Sequence, residues 1–285
     1  MARPQDRALL ASDSDTACLD SERCVIHIGT AGWGIASRYK DAFTGTGSQL
    51  EQYGKLLNAV EINSSFRRQH KTQTYARWAS SVPDHFRFSV KVPSSLTHDG
   101  GLSADAQTLE RFATVTRGLG GKLGVILVQL PPTLTFETRT AKRFFAVLRK
   151  HFDVQVACEP RHPSWGSDRA ERVLRDLAIA RVAADPPLWP GAGDPGGFRK
   201  VAYFRWHGQP RTYYSDYDEQ CLLDLRGRLA LAGAHTGHVW LIFDNTVLGH
   251  ALGNAMAMTG ATSGTKSLSF NPDGNGREPR VSDGR

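Results

Sequence analysis

The chain has 285 residues, 40 % hydrophobic and 22 % charged, a composition that excludes collagen-like, disulfide-scaffold and wholly disordered proteins. No stretch approaches 18 apolar residues and no transmembrane helix is expected. The acids Asp6, Asp13, Asp15, Asp20 and Glu22 surround the short apolar run Ala8–Ala11, which is no signal-peptide core, so the expected compartment is the cytoplasm. Net charge is +7. Residues 1–24 carry −2 and residues 266–285 carry +1, so the excess belongs to the folded part and suits a small anionic molecule or nucleic acid, with no membrane partner expected.

Residues 1–23 show no hydrophobic period and are expected to be flexible. The pattern then becomes regular. Val25–Gly29 reads as a strand and Leu50–Leu57 as a helix; Ala59–Ile62 and Thr74–Ser80 repeat the pair. Phe86–Val90 precedes the helical pattern of Thr108–Leu119. Leu123–Gln129 is almost wholly apolar, as a strand covered on both faces should be, and Arg139–Lys150 follows with Phe144, Phe145 and Leu148 on one face. Val154–Cys158 leads into helix Asp168–Leu177. Ala180–Ala184 leads into a Pro/Gly-rich loop, Pro186–Gly197. Val201–Trp206 precedes helix Glu219–Leu231, and Val239–Phe243 precedes helix Gly249–Met258. Residues 260–285, rich in Gly, Ser, Thr, Asn, Pro and Asp, are expected to be a disordered tail. Eight strand-then-helix units within residues 24–259 predict an α/β fold: a single-domain (β/α)8 TIM barrel of eight parallel strands, with an open doubly wound sheet as the alternative.

In such a barrel the C-terminal strand ends share one pocket. Here nearly every apolar run ends in a polar residue: Glu61 and Asn63, Lys91, Gln129, Glu159 with Arg161 and His162, Asp185, Arg205 with His207, and Asp244 with Asn245. Gathering so many charges in one place without a ligand would be costly, which points to a functional pocket rather than a structural ion-pair network. Trp33, His98 and Trp165 also lie just past strands and join the binding candidates. Gly29-Thr-Ala-Gly32-Trp-Gly34 lacks the spacing of a dinucleotide fingerprint and no P-loop Lys-Ser/Thr follows, so no nucleotide cofactor is expected. The four cysteines form no C-x-x-C and read as reduced thiols.

These strand ends resemble the YecE-like proteins of domain-of-unknown-function family 72. The likeness runs from about Ile26 to Met256. It is carried by Ile28-Gly-Thr-Ala-Gly-Trp33, Val60-Glu-Ile-Asn-Ser-Ser-Phe66, Phe88-Ser-Val-Lys91, Thr97-His98, Lys122-Leu-Gly124 and Gln129-Leu-Pro-Pro132. It continues through Glu159, Arg161-His-Pro-Ser-Trp165, Arg205, His207-Gly208 and Phe243-Asp-Asn245 ahead of Asn254-Ala255. The resemblance implies a TIM barrel and no established reaction. Three positions depart from the family pattern: Arg67-Arg68 stands where Tyr-Arg is usual, Pro160 replaces an aromatic or aliphatic residue, and the aromatic expected after His-Gly is indistinct in Gln209–Tyr214.

Three functions fit these residues. The reading adopted is acid–base chemistry on a small anionic or sugar-like substrate. Glu61 or Glu159 would move a proton, assisted by His162 and His207, while Arg161 and Arg205 anchor an anionic group and Asn63, Gln129 and Asn245 orient the substrate. Lys91 would be a Schiff-base amine or, as is more usual for such a residue, a buried counter-ion to Glu61 or Glu159. The second reading is a metal-dependent hydrolase of phosphoesters or nucleic acid, with Zn²⁺ or Mn²⁺ on Glu159, Asp185, Asp244 and His207. The third is a non-catalytic binder of a ligand or nucleic acid.

Overall fold

A computed structural model describes residues 24–260. The segment 1–23 and the tail beyond residue 260, expected to be flexible, lie outside the described residues. In chain order the elements are β1 (Val25–Thr30), α1 (Gln49–Leu56), β2 (Ala59–Ile62), α2 (Thr72–Ser80), β3 (Arg87–Lys91), the one-turn α3 (Ser94–Thr97), α4 (Ala106–Thr116), β4 (Leu123–Gln129) and α5 (Thr138–His151). There follow β5 (Gln155–Glu159), α6 (Asp168–Asp176), β6 (Ile179–Arg181), β7 (Ala183–Asp185), β8 (Gly196–Gly197), β9 (Val201–Trp206), α7 (Glu219–Gly233), β10 (His238–Phe243) and α8 (His250–Thr259).

Local chemistry accounts for where helices begin. Ser48 and Glu51 form a reciprocal capping box on α1, while Asp105, Glu137, Ser167 and Asp218 each accept first-turn N–H groups of α4, α5, α6 and α7. On α5 the buried residues Ala141, Phe144, Phe145 and Leu148 recur at helical spacing and turn one stripe onto the sheet.

The strands form two sheets in a mixed α/β fold. One has the order β1-β10-β9-β7 and the other β2-β3-β4-β5-β6-β8, and every pairing is parallel except β6 with β8. The ladder is therefore not the single uninterrupted ring that the strand count predicts. The strand expected over Ala180–Ala184 is divided at Val182. Gly196 and Gly197, from the Pro/Gly loop, pair antiparallel with Arg181 and Ala180 and occupy the edge of β6 away from β5. β9 pairs with β10 on one edge and, on the edge that faces this seam, with β7, from Ala183–Phe204 to Asp185–Trp206. At the other seam β1 and β2 share one parallel bridge, Ala31–Glu61, and the Gly32 N–H donates to the Glu61 carbonyl at 2.9 Å.

Two apolar clusters result. The larger joins the helices to the outward strand faces. The smaller holds Ala59, Val125, Leu127, Ala157, Ala180, Val182, Val201, Tyr203, Trp240 and Ile242, side chains from the opposite face of six strands and the Val182 step. Side chains alternate along a strand, so the residues continuing this inner series are Glu61, Gln129, Glu159, Arg205 and Asp244, all within one residue of a C-terminal strand end. Close approach there requires small residues: a Cβ on Gly29 would lie 2.0 Å from the Ala59 carbonyl oxygen, and one on Gly124 would lie 2.5 Å from the Trp240 ring.

Candidate functional site

Arg205 is the centre of the strand-end cluster. It is fully buried, and its guanidinium reaches three carboxylates: Glu61 through Nη2 at 2.8 Å and Nε at 3.0 Å, Glu159 through Nη1 at 3.0 Å, and Asp244 through Nη2 at 2.9 Å. A rigid planar fork with five N–H donors can satisfy such a set, and an ammonium cannot. Burial works against ionisation here, but Asp244, Glu61 and Glu159 outweigh it and hold the guanidinium even more firmly protonated than usual.

The carboxylates are equally committed. Glu61 accepts also from the Tyr203 hydroxyl at 3.0 Å, and that hydroxyl lies 2.9 Å from Ser89. Glu159 accepts from Gln129 Nε2 at 3.1 Å, from Arg161 Nη1 at 2.9 Å and from His207 Nε2 at 2.9 Å. Burial alone would raise the Glu159 carboxyl, but Arg205, His207 and Arg161 hold it well below the usual range. Glu61 and Glu159 therefore do not face each other across an open gap as an acid and a base would. Both are fully buried and both are bound to Arg205 between them.

His207 sits between two carboxylates, with Nε2 on Glu159 and Nδ1 3.1 Å from Asp244 Oδ2. Two carboxylate acceptors require two N–H donors, so the ring is an imidazolium. Burial pulls its pKa down, yet Glu159 and Asp244 bring the net shift upward. Arg161 Nη1 stands 3.5 Å from Nε2, two donors sharing the one Glu159 oxygen. The Tyr213 ring meets His207 edge-on at 5.6 Å, and Tyr213 holds φ at 70°, a left-handed conformation costly for a bulky residue.

Lys91, 7 % exposed, ends β3 beside this cluster. Its Nζ lies 4.3 Å from the centroid of the Phe66 ring. Burial, reinforced by Arg205, lowers its pKa to about 8 despite Glu61, Glu159 and Asp244. It does not ion-pair with Glu61 or Glu159, so the counter-ion expectation is corrected: Arg205 has already taken both. Nearby His98 meets Phe66 edge-on at 4.8 Å and bonds Thr97 Oγ1 through Nδ1. Asn63, partly buried at the end of β2, has a side-chain oxygen with no protein partner. Trp33, partly exposed, packs edge-on against Trp78 at 5.0 Å.

Other expected site residues have structural occupations. Trp165 is fully buried, and its indole N–H donates to the Leu134 carbonyl, so no face is left for a substrate. His162 Nδ1 accepts from the Ser164 N–H at 3.2 Å and caps the turn Pro163–Gly166. Asn245 is fully buried and donates to the Ser215 carbonyl and to Asn254 Oδ1, tying a loop to α8. Asp185 is separate from the cluster, its carboxylate accepting from the Gln209 amide and, at 2.6 Å, from the Tyr217 hydroxyl. Among the described residues no group of three or more His, Cys, Asp or Glu side chains converges as metal ligands. Both His207 nitrogens are spent on carboxylates, so the proposed metal set is not brought together.

Tyr203, inside β9, is the participant that strand-end reading missed, while Ser65, Phe66 and Tyr213 lie just past strands with no role assigned from sequence. A period-2 reading of β9 finds it, since Tyr203, Arg205 and His207 share one face. The Ser65 hydroxyl lies 2.8 Å from the Ile62 carbonyl and 2.6 Å from that of Lys91, joining the ends of β2 and β3.

The order of these motifs along the chain matches a family profile described as "Protein of unknown function DUF72" over residues 27–275. The chain belongs to this family. It is 28 % identical over 167 residues to the UPF0759 protein YecE of Escherichia coli strain K12, a match spanning 56 % of this chain and 59 % of that protein. It is 26 % identical over 264 residues to the UPF0759 protein YunF of Bacillus subtilis strain 168, spanning 82 % and 93 %. A DUF72 crystal structure from Enterococcus faecalis V583 superposes with a TM-score of 0.70 at 21 % identity, covering 87 % of this chain and 97 % of that one. One from Thermotoga maritima MSB8 gives 0.67 at 23 % identity, covering 82 % and 97 %. These likenesses establish the DUF72 fold and carry no specific activity. No helix among the described residues is long and apolar enough to cross a membrane.

Proposed function

We propose that this DUF72 protein is an enzyme of acid–base chemistry, acting on a small anionic or sugar-like molecule at the C-terminal strand ends. We further propose that its two sheets are the halves of one (β/α)8 barrel. The Ala31–Glu61 bridge and the one-residue step at Val182 support continuity at the two seams, and the inner cluster of strand side chains is what a filled barrel interior contains.

The observation that carries the functional reading is His207 held as an imidazolium between Glu159 and Asp244. It is a proton donor in a cluster whose cations, Lys91, Arg161, Arg205 and His207, outnumber its acids, Glu61, Glu159 and Asp244, by one. A buried cluster with one surplus positive charge favours an anion. Arg161, partly exposed and bound by only one of its N–H groups to Glu159, retains donors for a carboxylate or phosphate. Glu61 and Glu159 set the charge of this site, and His207 supplies the mobile proton.

Thermal-shift titration with inorganic phosphate, glyoxylate and sugar phosphates tests the binding half. A ligand at about one hundred times its Kd should add about 2.7 kcal/mol of stability. Arg161→Ala should abolish that gain, and an unchanged gain would refute the assignment. For any compound that is turned over, His207→Asn should lose turnover while retaining the shift.

A further inference from the structure

We infer that Lys91 is a carbonyl-reactive amine, so that the substrate is a small aldehyde or ketone with an anionic group, held as an imine on Nζ. This rests on the acid–base reading above and names the substrate class of the same site.

Lys91 differs from the other buried Lys and Arg side chains in its lack of an acidic partner. Arg205 is paired with three carboxylates and Arg181 with Glu171. The partly buried Lys122 donates to the carbonyls of Ala79 and Val82. Among the described residues no carboxylate oxygen approaches Lys91 Nζ within 4.0 Å, although Glu61, Glu159 and Asp244 are near enough to act on its charge. All three are already bound to Arg205. An ammonium ion kept from water with only the Phe66 ring face beside it is costly, so that with a pKa of about 8 the ammonium is the major form near pH 7 but the neutral amine, with its free lone pair, is far more populated than at an ordinary lysine.

The side chain is also positioned. Ser65 fastens the end of β2 to the Lys91 carbonyl, and the Val92 N–H donates to the Leu127 carbonyl, so the backbone that carries Nζ is held. Phe66, the residue after Ser65, places its ring 4.3 Å from Nζ and limits how the chain swings. Rigid support of this kind suits a nucleophile better than a flexible surface lysine.

The chemistry balances without an added oxidant or reductant. The neutral Nζ attacks the carbonyl carbon, and the oxygen takes up a proton released from the nitrogen to give a carbinolamine. A second proton, for which the His207 imidazolium is the acid of the same cluster, converts that hydroxyl to water. Water leaves as the C–O bond breaks, and a protonated imine remains. Arg161 would hold the anionic group.

The test treats the full chain with glyoxylate, pyruvate or glycolaldehyde phosphate in sodium cyanoborohydride at pH 7.4, and reads each lysine by peptide mass spectrometry. The reduced adduct should accumulate on Lys91 at least about tenfold faster than on the mean of the other eight lysines, since an amine with a pKa of about 8 is neutral far more often than an ordinary lysine. Lys91→Arg should melt as a folded protein and leave only the background. Neutral glycolaldehyde should label more slowly, and Arg161→Ala should remove that preference. Labelling of Lys91 no faster than the other lysines, with all three anionic carbonyls, overturns the inference. If phosphate still stabilises the protein through Arg161 in that case, the anion site stands and only the imine falls. Selective trapping without any phosphate effect would have the opposite meaning: the imine stands and the anion site falls.

Discussion

Replacing Arg205 by Met would leave Glu61, Glu159 and Asp244 in a fully or nearly fully buried site without the guanidinium that now serves all three. Removing one partner of a buried ion pair typically costs about 3–5 kcal/mol. Glu61 loses its cation while Glu159 and Asp244 keep His207, and Glu159 also Arg161, which puts the loss at about 4 kcal/mol or more, a large part of the about 5–15 kcal/mol available to a folded protein. At about 2–4 °C per kcal/mol the melting midpoint should fall by about 8–16 °C. The pH dependence should also invert. In the wild type, Glu159 and Asp244 have folded pKa values below their unfolded ones, so their contribution is present above the unfolded carboxylate pKa and is lost as pH falls through the folded values. In Arg205→Met the buried acids resist ionisation, so the variant should gain stability as pH falls from about 7 toward about 5. Thermal unfolding followed by tryptophan fluorescence at several pH values reads both effects. A loss below about 1 kcal/mol, or a pH profile parallel to the wild type, would show that the cluster is not a coupled charge centre.

Lys91→Met should stabilise the protein at pH 7 by about 1–3 kcal/mol, because the folded amine, with a pKa of about 8, is harder to protonate than the unfolded one; the gain should shrink as pH rises from about 8 to about 10, and a lower melting midpoint at pH 7 would mean that Lys91 is a structural cation. His207 has a raised folded pKa, so its contribution is complete below its unfolded pKa of about 6.5 and is lost as pH climbs through the folded value. The stability gap between wild type and His207→Gln should therefore narrow as pH rises above about 6.5; a constant gap would contradict the imidazolium. Gly29→Ala should cost about 3 kcal/mol or more, since its Cβ would meet the Ala59 carbonyl at 2.0 Å, whereas Gly34→Ala, with nothing within 4 Å, should cost little in the same melting assay.

The alternation of β-branched runs with amphipathic stretches is a local property of the chain, and it located the strands and long helices to within a few residues because burial of one face sets their period. The polar residue at each strand end was legible for the same reason. The division of the expected sixth strand at Val182 was not, since it depends on Gly196 and Gly197 returning from a distant loop to take its edge. Nor does any local pattern tell which acid pairs with which base. Trp165, Asn245 and His162 occupy the same kind of position as Arg161 and His207, yet a core contact, a loop tie and a turn cap engage them. Glu61 and Glu159 read alike as proton carriers until β9 places Arg205 between them. Composition and period thus specify elements and the end of the sheets where charge collects. The pairing of each charge, and the absence of an acidic partner for Lys91 among the described residues, arise from competition among residues far apart in the chain, which only their packing resolves.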